Sequence, residues 1–172
     1  PMADAHLPEN INALYLGGGY PELFARELSC NKTMLADIRA FAQKDNPIFA
    51  ECGGLMYLTQ NIEDASGHQF DMAGVFDCCT VMTSRLQRFG YCNVSYGGAQ
   101  TRAHEFHHSL LRHNDANRHY ELSYAISKPG KNKQWTCGLQ YRNVLAGYTH
   151  FHFLSEPLFY HKIIDLWMPK IT

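Results

Sequence analysis

The chain is 172 residues long, 45% hydrophobic and 18% charged, with a formal net charge of −1. That length supports one domain with a sizeable core, and the charge balance calls for neither nucleic acid nor an anionic membrane as partner. No apolar run approaches the roughly 20 residues of a membrane span, and the 13% aromatic content argues against disorder.

Pro1-Met2-Ala3-Asp4 forms no signal peptide, and a chain opening on Pro1 reads as a piece of a longer one. Ile11 to Leu16 reads as a short buried strand ended by Gly17-Gly18-Gly19. Pro21 then suits a first helical turn, and apolar residues spaced by three and four predict helix from about Pro21 to Gln43, interrupted at Asn31. After the Lys44–Pro47 turn, Ile48-Phe49-Ala50 is a second short strand. Gly53-Gly54 opens a second helix, Leu55 to about Ile62. Strand, glycine turn, helix, repeated twice, predicts an α/β protein with a parallel sheet under helices, whose ligands gather at the carboxyl ends of the strands. Both glycine turns lie there. Further on, residues 74–82, 90–96, 120–126, 134–141 and 143–149 read as strands. A closing helix follows, with Ser155 as N-cap and Trp167 on its apolar face.

Six cysteines without a Cys-x-x-Cys pair read as reduced thiols of a cytoplasmic protein, most of them small core residues. Cys52 differs. In Ala50-Glu51-Cys52-Gly53-Gly54 it sits on a strand-to-helix turn, where a nucleophile is lifted clear of the sheet. The helix start offers free N–H groups and a positive dipole end, which favour thiolate. The Gly53 N–H can face an oxyanion, and the first glycine turn can supply a second donor. A buried cysteine beside a structural glycine turn is the plain alternative. A thiolate nucleophile needs an imidazole, and His150 and His152, ending the last strand, are the best placed. At i, i+2 one can face the site while the other faces away. Both could instead be ordinary core or surface histidines.

His104-Glu105-Phe106-His107-His108 fits His-Glu-x-x-His, which on a helix would hold zinc through His104 and His108 with Glu105 as base. The preceding turn residues give little helical lead-in, and His113 falls at the wrong spacing for the extended form, so a zinc hydrolase is the weaker reading.

Leu16-Gly17-Gly18-Gly19-Tyr20-Pro21-Glu22, Ala50-Glu51-Cys52-Gly53-Gly54-Leu55-Met56-Tyr57-Leu58 and His104-Glu105-Phe106-His107 together resemble the glutamine amidotransferase domain of the cobyrinate a,c-diamide synthases. The resemblance runs in order over essentially the whole chain. It implies a flavodoxin-like class I amidotransferase sandwich, a mostly parallel central sheet flanked by helices, and one domain over residues 1–172. It implies Cys52 as nucleophile, His150 as catalytic histidine, and Gly19 and Gly53 as the oxyanion hole. His104, Glu105, His107 and His152 are expected at the active-site mouth. His152 stands where the wider class often has a glutamate, which favours a Cys-His dyad over a triad. No metal or cofactor is expected in this domain. The chain lacks Gly-x-x-x-x-Gly-Lys-[Ser/Thr], so ATP and magnesium belong to an N-terminal synthetase domain of the parent chain. That domain would use ammonia from glutamine to amidate corrinoid carboxylates in cobalamin biosynthesis. Alone, this domain is expected to show weak glutaminase activity or none. Another tetrapyrrole acceptor, nickel-sirohydrochlorin, is the nearest alternative, a domain that keeps the fold without turnover is a further one, and a homodimer stays open.

Overall fold

The computed structural model describes residues 1–116 and 118–165. Trp167 lies outside the described residues. In chain order the elements are β1 (Leu14–Leu16), a 3-10 turn (Pro21–Phe24), α1 (Ala25–Cys30), α2 (Lys32–Gln43), β2 (Ile48–Glu51), α3 (Gly53–Leu58), β3 (Asn61–Glu63) and β4 (Gln69–Asp71). There follow β5 (Cys78–Met82), β6 (Arg88–Tyr96), β7 (Ala99–His107), β8 (Ser109–His113), β9 (Glu121–Ser127), β10 (Gln134–Tyr141), β11 (Val144–Gly147), β12 (His150–Phe151) and α4 (Pro157–Ile164).

The main sheet has eight strands in the order β1-β2-β11-β10-β9-β6-β7-β12, and a second sheet runs β4-β3-β5-β8. The α/β class and the helix-covered sheet are as expected. The expected mostly parallel character holds at one end only. There β2 pairs in parallel with both β1 and β11, Ile48 lying opposite Leu14 and Val144. The remaining five pairings of this sheet are antiparallel. All four residues of β2 and all four of β11 are buried, as strands covered on both faces must be. Each full burial of a side chain such as Ile48, Phe49 or Leu145 stabilises by roughly 1.5–3 kcal/mol.

The helical break expected at Asn31 is present. Its side chain caps α2 by accepting from the Met34 N–H at 3.4 Å, and α2 then buries Met34, Leu35, Ile38 and Ala42 along one stripe. Three local expectations are corrected. The second helix stops at Leu58 and Ile62 belongs to β3, because Gln60 and Asn61 turn the chain into the second sheet. The N-cap of α4 is Glu156, whose carboxylate accepts from the Leu158 N–H at 3.4 Å, rather than Ser155, whose hydroxyl instead donates to the His152 carbonyl. Residues 74–77 precede β5 rather than extend it.

Candidate active site

The site is built where the parallel end of the sheet meets β7 and β12. β2 delivers Cys52 at φ 47°, ψ −103°, a left-handed conformation that a residue with a Cβ adopts only at a cost of order 1–3 kcal/mol. The turn is clamped from behind: the Cys52 N–H donates to the Gly147 carbonyl at the end of β11, at 2.7 Å. α3 starts at once and packs on β1, β2 and β11. A Cβ on Gly53 would stand 2.7 Å from the carbonyl oxygen and 2.8 Å from the nitrogen of Gly19, so only glycine lets the two turns approach. The elbow and the two glycine turns therefore come together as expected.

Cys52 is 6% exposed and lines a small pocket of about 30 Å³ shared with Gly19, Glu22, Phe106, His107 and Ser109. Its thiol approaches the Phe106 carbonyl at 3.9 Å. Burial pushes the thiol up to about 11; the Gly53 N–H acts the other way, and the carboxylates of Glu22, Glu51 and Glu105 add to the rise. Desolvation and the three nearby acids thus work against the thiolate that the start of α3 is expected to favour.

His150 opens β12, half-buried, in register with His104 on β7. Its imidazole lies against Gly18, where any Cβ would overlap the ring. Burial and the neighbouring His104 hold the ring below the ordinary imidazole range, which favours its neutral form. No hydrogen bond joins Cys52 to His150 among the described residues. His152 is exposed, in keeping with the alternation expected of the pair.

His104–His107 closes strand β7 and His108 is the bend before β8, so the segment is not helix. His104 and Phe106 share one face of β7, while Glu105 and His107 point the other way and are buried, 2% and 7% exposed. Without a helix, His104 and His108 are not brought onto one turn as the zinc-binding pattern requires. Among the described residues no group of three or more His, Cys, Asp or Glu is arranged to hold a metal ion. Of the residues expected at the mouth, His107 reaches the Cys52 pocket. His104 sits opposite His150. Glu105 lines a separate cavity of about 170 Å³ with Arg88, Trp135 and Tyr148, and His152 stands outside.

Sequence reasoning passed over Glu51. One carboxylate oxygen accepts from the Tyr15 hydroxyl at 2.8 Å and the other from the Phe151 N–H at 2.9 Å. The residue before Cys52 thus ties down the residue after His150. Phe151 is also wedged between the rings of Phe49 and Phe159, at 6.1 and 4.8 Å. The buried position of Glu51 at the end of an apolar strand was the available signal, since a carboxylate there must be satisfied. Ser109 and Tyr148 were passed over as well; both are buried beside His107.

A sheet with a cysteine elbow between two glycine turns defines the architecture of the class I glutamine amidotransferases. A solved structure described as a glutamine amidotransferase superposes with a TM-score of 0.67, covering 92% of this chain and 80% of its own at 16% identity. The glutaminase domain of Trypanosoma brucei CTPS with bound acivicin does so at 0.53, covering 92% and 71% at 12% identity. These likenesses establish the fold. The chain belongs to the CobB/CobQ-like glutamine amidotransferase domain family, whose pattern matches residues 1–158. Its curated relatives include the cobyrinate a,c-diamide synthases of Caldanaerobacter subterraneus, 42% identical over 160 residues, and of Clostridium acetobutylicum, 41% identical over 167. The match covers 88% and 91% of this chain but 34% and 36% of those relatives, so the chain spans about a third of their length. No helix among the described residues is long and apolar enough to cross a membrane.

Proposed function

We propose that this domain is the glutaminase half of an ATP-dependent cobyrinate a,c-diamide synthase of the cytoplasm, with Cys52 as nucleophile and His150 as base. The observation that carries the reading is the left-handed Cys52 on a turn where the backbones of Gly19 and Gly53 converge. His150 takes the proton from the Cys52 thiol as the sulfur attacks the side-chain carbonyl carbon of glutamine. The N–H groups of Gly19 and Gly53 hold the oxyanion. The tetrahedral adduct collapses, the C–N bond breaks, and His150 returns its proton to the leaving ammonia. Water then cleaves the thioester, releasing glutamate and restoring the thiol. Because burial pushes the thiol up, its deprotonation is coupled to substrate binding rather than completed beforehand. Glu22, lining the same pocket, is placed to meet the substrate's ammonium group.

The ammonia would amidate carboxylates that the rest of the parent chain activates with ATP and magnesium. Nothing in this chain has the phosphate-cradling motif for that step. The names of the curated relatives favour a corrinoid acceptor over nickel-sirohydrochlorin.

Two measurements test this. In the full-length parent enzyme, Cys52→Ala should lower ammonia release from glutamine by at least about 10³-fold. Retained turnover would overturn the assignment. Alkylation of Cys52 by iodoacetamide in the substrate-free protein should rise about tenfold per pH unit from 7 to 10, because a pKa of about 11 leaves little thiolate below it. A rate already flat at pH 7 would mean a preformed thiolate–imidazolium pair instead.

A further inference from the structure

His107 is a buried imidazole with one ring nitrogen fully occupied and the other idle. Its Nδ1 lies 2.9 Å from the Ser109 carbonyl. A carbonyl only accepts, so Nδ1 carries the proton and donates it, which leaves Nε2 as a bare lone pair. The ring is fixed in place. It stacks on Tyr148 with centroids 3.8 Å apart and planes 7° from parallel, and the Tyr148 hydroxyl is held by the Ser109 hydroxyl at 2.8 Å. One residue, Ser109, therefore holds both the tautomer and the stacking partner. Nε2 is buried and has no hydrogen-bond partner. Buried acceptors are normally satisfied, and an idle one in the wall of a reactive pocket points to a donor that arrives later.

The surroundings say what that donor is. His107 lines both the small pocket of Cys52 and the neighbouring cavity of Glu105, and the carbonyl of the residue before it, Phe106, is the atom that the Cys52 thiol faces. Among the other polar groups at this wall, the Phe106 carbonyl and the Glu22 carboxylate are acceptors, and the Ser109 hydroxyl is engaged with Tyr148. Desolvation pushes the imidazole down to about 4, with Arg88, His108 and His150 acting in the same direction, so it stays neutral near pH 7. Gly19 lines the same pocket, and its backbone meets that of Gly53 beside Cys52. A carboxamide offers an acceptor to such backbone donors and an N–H to an imidazole lone pair; a carboxylate offers acceptors to both.

We propose that His107 is the specificity residue that distinguishes the carboxamide of glutamine from the carboxylate of glutamate, its Nε2 accepting an N–H of the substrate amide. This rests on the glutaminase reading. In the substrate, the carbonyl oxygen turns to Gly19 and Gly53 and the amide nitrogen to His107. In the product acid, the second oxygen meets the lone pair of Nε2 and is repelled, which also assists its departure.

Equilibrium binding isolates this from turnover. In a Cys52→Ala background, calorimetry with L-glutamine and L-glutamate should show a clear preference for glutamine. Adding His107→Phe keeps the flat ring against Tyr148 and removes the acceptor. Glutamine should then bind about tenfold more weakly, and glutamate equally or more tightly, so the preference collapses. His107→Gln, whose side-chain oxygen can accept, should restore part of it. If both ligands weaken together, or the preference survives in His107→Phe, the role is structural and the proposal is overturned. Nitrogen NMR of the labelled His107 ring makes the same test without substituting it. The Nε2 resonance should move on adding glutamine and stay put with glutamate; equal movement, or none, overturns the proposal. A Cys52 that a glutamine-analogue alkylator leaves unmodified would strike the glutaminase reading, whereas a persistent preference in His107→Phe strikes this inference alone.

Discussion

The two ends of the main sheet solve different problems. At the parallel end, β2 and β11 are buried at every position, and their side chains are apolar up to Glu51. At the antiparallel end, β7 alternates strictly between buried and exposed, yet what it buries is Ala99, Thr101, Ala103, Glu105 and His107, while Phe106 faces outward. The neighbouring strand β6 likewise exposes Phe89 and Tyr91. One end is a packed foundation that holds a strained cysteine. The other is a wall that carries polar groups inward. Rigidity and chemistry are thus contributed by separate strands, and the site lies where they meet.

That division can be broken by mutation. The largest stability effect should come from the foundation: Leu145→Ala, at a fully buried position of β11, should cost about 2–5 kcal/mol in urea unfolding. If the wall depended on its outer aromatics equally, Tyr91→Ser would cost as much. At 69% exposure it should instead stay within about 0.5 kcal/mol. Glu51→Leu should fall between, at about 1–3 kcal/mol. It removes both acceptors, leaving the Tyr15 hydroxyl and the Phe151 N–H unpaired, and ammonia release should drop with it as β12 loosens. An unchanged rate would show that β12 is held by ring packing alone. The smallest effect sharpens the account of the elbow. Cys52→Gly should be more stable than Cys52→Ala by about 1 kcal/mol, reversing the usual order of these residues, because only glycine relaxes at φ 47°. The usual order would mean that the turn carries little strain.

The legibility of the sequence follows the same division. Continuous apolar runs between glycine turns make β1, β2 and the elbow readable, and residue spacing reveals α2 and its cap. β7 was invisible because its inward face is small and polar, so no apolar alternation marks it. Its His-Glu-x-x-His pattern instead invites a helical reading that the strand refutes. β3, β4 and β12 have two or three residues each, too few for any period to show. The pairing of Cys52 with the glycine backbones was legible from turn chemistry. The upward shift of its thiol was not, because that comes first from burial and then from Glu22, Glu51 and Glu105, and both the burial and the approach of Glu22 and Glu105 exist only after folding.

Glu51 has one more consequence. A single carboxylate grips the chain at a point 100 residues downstream, immediately before Cys52 along the backbone. A thermal excursion of the bend is therefore passed on to the segment bearing His150 and is not absorbed by the long stretch of polypeptide between them. The stretch that bears the sulfur and the stretch that bears the imidazole are thus fastened to each other directly, across a loop of about a hundred residues.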